Sequence, residues 1–86
     1  MKLDLNKSII GLDGKEIPDS NIGKLMASML VNTSKGDALK YFHWAQKLYA
    51  GEKLELDPSD VEILKAFIRD NEQMTILAKA QALACF

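Results

Sequence analysis

Residues 37–50, DALKYFHWAQKLYA, hold Tyr41, Phe42, Trp44 and Tyr49, four of the six aromatic side chains in the chain. Their spacing predicts a helix. At 100° per residue, Ala38, Tyr41, Phe42, Ala45, Leu48 and Tyr49 share one broad arc. Asp37 stands near the start, where a negative charge complements the helix dipole. Gly51 follows at the place of a C-terminal stop. The arc is expected to be the core that receives the other elements. Lys40, His43 and Lys47 project from the opposite side, with Trp44 at the border.

The segments around this helix predict an α+β fold: an N-terminal β-hairpin over residues 2–18, then helices at 20–32, 37–50, 58–70 and 72–85 packed around the 37–50 helix. In KLDLNKSII, residues 2–10, Leu3, Leu5 and then Ile9 alternate as a half-buried strand does. Asp13-Gly14 is a tight-turn signal. Glu16-Ile17 would start a short return strand, which Pro18 ends by offering no N–H to a ladder. Two strands alone are only marginally stable, so this hairpin must lie on helices or join another edge.

Asp19 or Ser20 is suited to cap the next helix. There Ile22, Leu25, Met26, Met29 and Leu30 follow the i, i+3, i+4, i+7, i+8 pattern of one apolar face. Asn32-Thr33-Ser34-Lys35-Gly36 then breaks it. Further on, Asp57 caps, Pro58 fits the first helical position, and Asp60 and Glu62 complement the dipole. Val61, Ile63, Leu64, Phe67 and Ile68 form a face wide enough to touch neighbours on two sides. Asn71 ends that helix or caps the last one. From Glu72 onward Glu72 and Lys79 are the only charges, so the final helix is apolar almost all round. A helix of that kind is buried, which is difficult at the end of so short a chain. Met74, Leu77, Gln81 and Ala84 are therefore expected to form a self-association surface.

Eighty-six residues fit one small domain, close to the size at which a single core just suffices. The formal net charge of −1 speaks against a chain built on phosphate contacts, which normally carries a basic excess or basic face. Cys85 is the only cysteine, so no internal disulfide supports the fold, as suits a reducing cytoplasm. Charges interrupt the first ten residues, unlike a signal peptide. No run approaches the roughly 18 apolar residues of a membrane span. The expectation is a cytoplasmic protein with no membrane partner.

Lys40, His43, Trp44 and Lys47 are neighbours at helical spacings of three and four. An aromatic between cations can stack a base while the cations hold phosphates. The competing reading is a Trp that closes the core edge beneath lysine stems. The one histidine has no cysteine or second histidine at ligand spacing, so no metal is predicted. The acidic run Glu52–Glu62 lacks the spacing and the glycine of a calcium loop. Gly11-x-x-Gly14 leads into a proline and is no phosphate cradle. Without a nucleophile–base set or a cofactor fingerprint, neither catalysis nor a cofactor is predicted.

Together, LDGKEI (12–17), IGKLMASML (22–30), LKYFHWAQKLYAGEKLELDPSDVEILKAFI (39–68) and AQAL (80–83) resemble small proteins encoded by phages and prophages. In that group an Asp-Gly-Lys turn precedes a helix. A helix with an (F/L)xxAxKLY-like stretch then leads to a (V/L)xL-Asp segment. The resemblance implies a phage-related origin, and with it no activity and no functional residues. The predicted function is that of a non-catalytic protein that self-associates and binds a host or phage protein. The alternative is a nucleic-acid or nucleotide-binding module using the Lys40/His43/Trp44/Lys47 rim.

Overall fold

The computed structural model describes all residues from Met1 to Phe86. Four helices are present: α1 (Ile22–Asn32), α2 (Ala38–Tyr49), α3 (Pro58–Asp70) and α4 (Ile76–Ala84), with two short strands, β1 (Lys2–Leu3) and β2 (Leu54–Glu55). The α+β class expected from the sequence is what the chain adopts.

Each helix starts where a side-chain oxygen can accept an N–H that the first turn leaves free. Asp37 accepts from Lys40 N and Asp57 from Asp60 N, and Pro58 occupies the first turn of α3. Helix α1 begins later than expected. Asp19 takes a left-handed backbone with φ 59°, and the Ser20 hydroxyl is engaged with Ile9 N and Ile17 O. The cap is therefore Asn21, whose Oδ1 accepts from Lys24 N. Two further free N–H groups of α1 are met by the N-terminal segment: Ile22 N donates to Lys7 O and Gly23 N to Leu5 O, each at 2.8 Å. A Cβ at Gly23 would sit 3.2 Å from the carbonyl oxygens of both Leu5 and Leu48. Glycine lets three backbones meet there without any of them shifting.

The strand pairing joins distant parts of the chain. β1 runs antiparallel to β2, with Lys2 opposite Glu55 and Leu3 opposite Leu54. Met1 extends the ladder through two backbone bonds to Leu56, at 2.9 and 2.8 Å. Alternation explains the choice of partner. Leu3 and Leu5 on one side, and Leu54 and Leu56 on the other, turn to the core and are buried, so the pairing of Leu3 with Leu54 puts the apolar residues of both segments on one face. The hairpin over 2–18 survives at its turn end, where Ile10 bridges Glu16 and Ile17 N donates to Ile9 O. Between turn and ladder the chain leaves sheet geometry to cap α1.

The core is one cluster of 16 buried apolar residues. α2 contributes Trp44, Ala45 and Leu48, a stripe turned by about 50° from the arc expected from the sequence. Phe42 and Tyr49, expected inside, are 55% and 66% exposed, whereas Trp44 is 4% exposed. The i, i+3, i+4, i+7 set 41, 44, 45, 48 is as regular as the expected one, and it buries the indole, the largest ring available. The last helix also differs. Asn71 Oδ1 accepts from both Gln73 N and Met74 N at 2.8 Å, holding residues 72–74 in a bend. Thr75 then caps α4 through Ala78 N. Residues expected in the first turn of a 72–85 helix are a loop.

Candidate docking groove

Helices α1 and α2 pack side by side, and along their outer junction runs an open groove of about 630 Å³. Small residues make its floor: Ala27 and Ser28 from α1, and Ala45 from α2. Val31, Phe42 and Tyr49 rise as its walls, each more than half exposed. Lys24 and Gln46 stand at the rim, with Lys24 Nζ 5.4 Å from the Tyr49 ring centroid. Leu39, one turn before Phe42, is also exposed. The groove follows from the rotation of α2: once Trp44 turns inward, the aromatics at 42 and 49 turn outward over the alanine floor. The legible signal was the set of small residues on both helices. Alanine at 27 and 45 lets two helices approach closely and leaves larger neighbours outside.

The rim read from the sequence has a different role. Trp44 is in the core, with Tyr41 stacked against it at 5.8 Å between centroids and 24° between planes. Lys40 Nζ lies 5.7 Å from the indole centroid and 2.8 Å from Asp60 Oδ1. Lys40 thus ties α2 to α3, while His43 stays exposed and Lys47 half-buried. These four side chains offer no open indole face on which a base could stack. The Asp60 hydrogen bond raises the Lys40 pKa above the ordinary 10.5, after an opposing contribution from burial, with the charges of Asp60, Asp37 and Asp57 adding to the rise. A lysine raised in the folded state stabilises fully below its unfolded pKa and loses that contribution as pH passes the raised value. The stability gap between the wild type and Lys40→Met is therefore expected to hold steady from about pH 7 to about pH 10 and to close above it. Urea titrations at stepped pH would show this, and a gap that closes near neutrality would contradict it.

The four residues expected on a self-association surface are likewise divided. Met74 is in the core, Leu77 is half-buried, and only Ala84 is exposed. Gln81 is engaged within the chain: its Nε2 donates to Ile10 O at 2.6 Å and its Oε1 accepts from Ile10 N at 2.8 Å. The side-chain amide thereby acts as a one-residue strand on the outer edge of the hairpin, where a second chain could otherwise pair. Gln81→Leu is expected to lower stability by about 1–2 kcal/mol, since two modest hydrogen bonds are lost at an exposed site. Hydrogen exchange at the Ile10 amide should accelerate in the same variant, and unchanged exchange there would refute the edge-blocking role.

Cys85 is half-buried, its Sγ donating to Gln81 O at 3.3 Å. No three His, Cys, Asp or Glu side chains converge on one point, and no helix is long and apolar enough to cross a membrane. A second depression, of about 980 Å³, lies between the α1–α2 loop and the α3–α4 bend and is lined mainly by polar side chains from residues 32–36 and 70–73. No family model matches the chain, and no curated protein or solved structure shows significant similarity to it.

Proposed function

We propose that this chain is a non-catalytic, phage-related interaction protein of the host cytoplasm that receives a host or phage protein in the α1–α2 groove and associates with itself through α4. One observation carries the docking site: Phe42 and Tyr49, on one stripe of α2, stand mostly in solvent beside a floor that includes the buried Ala27 and Ala45. A chain this short has little apolar surface to spare, and two exposed rings around a concave floor have the form of a helix-receiving site. Placing a photo-crosslinking phenylalanine analogue at position 42 in living cells tests it. Adducts are expected at 42 and not at Leu12, which is more exposed still at 99%, and identical adduct patterns at the two positions would overturn the reading.

Self-association rests on Ile76, 86% exposed at the head of α4, with Ala80 and Ala84 exposed one and two turns later. Sedimentation velocity should show concentration-dependent mass that Ile76→Glu removes without altering the far-UV spectrum. A strict monomer at micromolar concentration defeats this part of the proposal.

A further inference from the structure

We infer that the depression between the α1–α2 loop and the α3–α4 bend is a binding site for a primary aliphatic ammonium, a short apolar stem ending in –NH3+. It shares no lining residue with the α1–α2 groove and does not depend on that groove's use. The sign of the ligand follows from what ends there. The charged lining residues are Asp70, Glu72 and Lys35, two carboxylates against one ammonium, and none of the three is ion-paired within the chain.

Two helices also turn their negative ends toward the depression, each equivalent to roughly half a charge. Met29 and Asn32 lie in the last turn of α1, and Phe67 and Asp70 in that of α3, and all four line the depression. The end of α1 is bare. No basic residue stands in its last turn, and no backbone N–H donates to the carbonyls of residues 29–32. Helix α2 is closed differently: Lys47 stands in its last turn, and Ala50 N, Glu52 N and Gly51 N donate to the carbonyls of Gln46, Lys47 and Leu48. At the end of α3, Asn71 N meets Ile68 O and Lys79 Nζ meets Arg69 O, which leaves the carbonyls of Phe67 and Asp70. An ammonium offers three donors and no acceptor, and carboxylates and free carbonyls offer only acceptors. An anion would meet the wrong sign everywhere except at Lys35.

The stem follows from the rest of the lining. Met29, Ile63 and Phe67 are half-buried and present apolar surface, which an alkyl chain covers and a hydrated metal ion does not. A metal also lacks three converging ligand side chains. A space of about 980 Å³ is of the size that receives an organic ligand. The same group arrives on a free amine or on the lysine side chain of another protein.

The test titrates n-butylammonium, butan-1-ol and butyrate, at matched low ionic strength, into the isotope-labelled full chain and follows amide shifts. The amine is expected to shift resonances at residues 32–36 and 70–73, and the alcohol and the anion are not. Asp70→Asn with Glu72→Gln, at two exposed positions, should weaken amine binding about three- to tenfold, as two exposed charge pairs allow, with the spectrum otherwise unchanged. Lys35→Ala should tighten it. Nα-acetyl-lysine-N-methylamide separates the sources: tighter binding than n-butylammonium assigns the site to a lysine side chain of a partner, and weaker binding assigns it to a free amine. Butan-1-ol or butyrate shifting the same resonances as strongly as the amine would overturn the assignment. So would undiminished affinity in the double variant, or no shift with either amine at tens of millimolar.

Discussion

Trp44→Ala is expected to destabilise the protein by about 3–5 kcal/mol, the range for removing a large buried aromatic. A chain of this length has a total stability of about 4–13 kcal/mol, so the loss removes a large share of it. The reason is local. The indole is 4% exposed, stacked on Tyr41 and covered on another side by Lys40, so its loss opens a cavity in the core. A tryptophan serving as a surface stacking platform would behave differently, with little loss of stability on truncation. Phe42→Ala supplies the internal comparison, because its ring is more than half exposed and its loss should cost less than about 1 kcal/mol. Urea denaturation of the pair decides between the two arrangements of α2: comparable losses would mean that the core stripe is not the one described.

The second large effect is expected at Gly36→Ala, a loss of about 2–4 kcal/mol from two sources. Gly36 has φ +105°, a conformation that costs a residue bearing a Cβ about 1–3 kcal/mol. The added carbon would also fall 2.6 Å from Cε2 and Cζ of Tyr41. Moving that ring aside would disturb its stacking on Trp44 and its edge contact with Phe67 at 5.6 Å and 75°. Forcing extra volume into such packing costs about 1–3 kcal/mol. A double-mutant cycle separates the two sources. In a Tyr41→Ala background Gly36→Ala should cost about 1 kcal/mol less than in the wild type, leaving the backbone part. Identical costs in the two backgrounds would show that the ring is not the obstacle.

Much of the fold was legible because it is local. Asp37, Asp57 with Pro58, and Gly51 stand where the helix ends are, since a cap needs only a side chain and N–H groups two or three residues away. The apolar stripe of α1 and the broad face of α3 also emerge from periodicity, with Met26, Leu30, Leu64 and Ile68 buried. The candidate site was less legible. The rim at Lys40, His43, Trp44 and Lys47 is contiguous on a helix, but whether its indole faces water depends on a rotation of about 50° that no local rule fixes. Gln81 looked like one polar residue on an apolar helix. Its use as a blocker of the hairpin edge depends on Ile10, 71 residues away.

By itself the sequence determined where α2 and α3 begin and end, and that the chain would be α+β with a tryptophan-bearing helix contributing to its core. Caps, turns and hydrophobic periods act over a few residues and carry that information wherever the segment lies. The tertiary structure alone decided which of two equally regular stripes of residues 37–50 turns inward, that Leu3 pairs with Leu54 and not across its own turn, and that Phe42 and Tyr49 are left outside as groove walls. Those choices are set by competition among elements for one small core. A helix rotates to bury its largest ring where neighbours close over it, and the remaining aromatics are displaced to the surface.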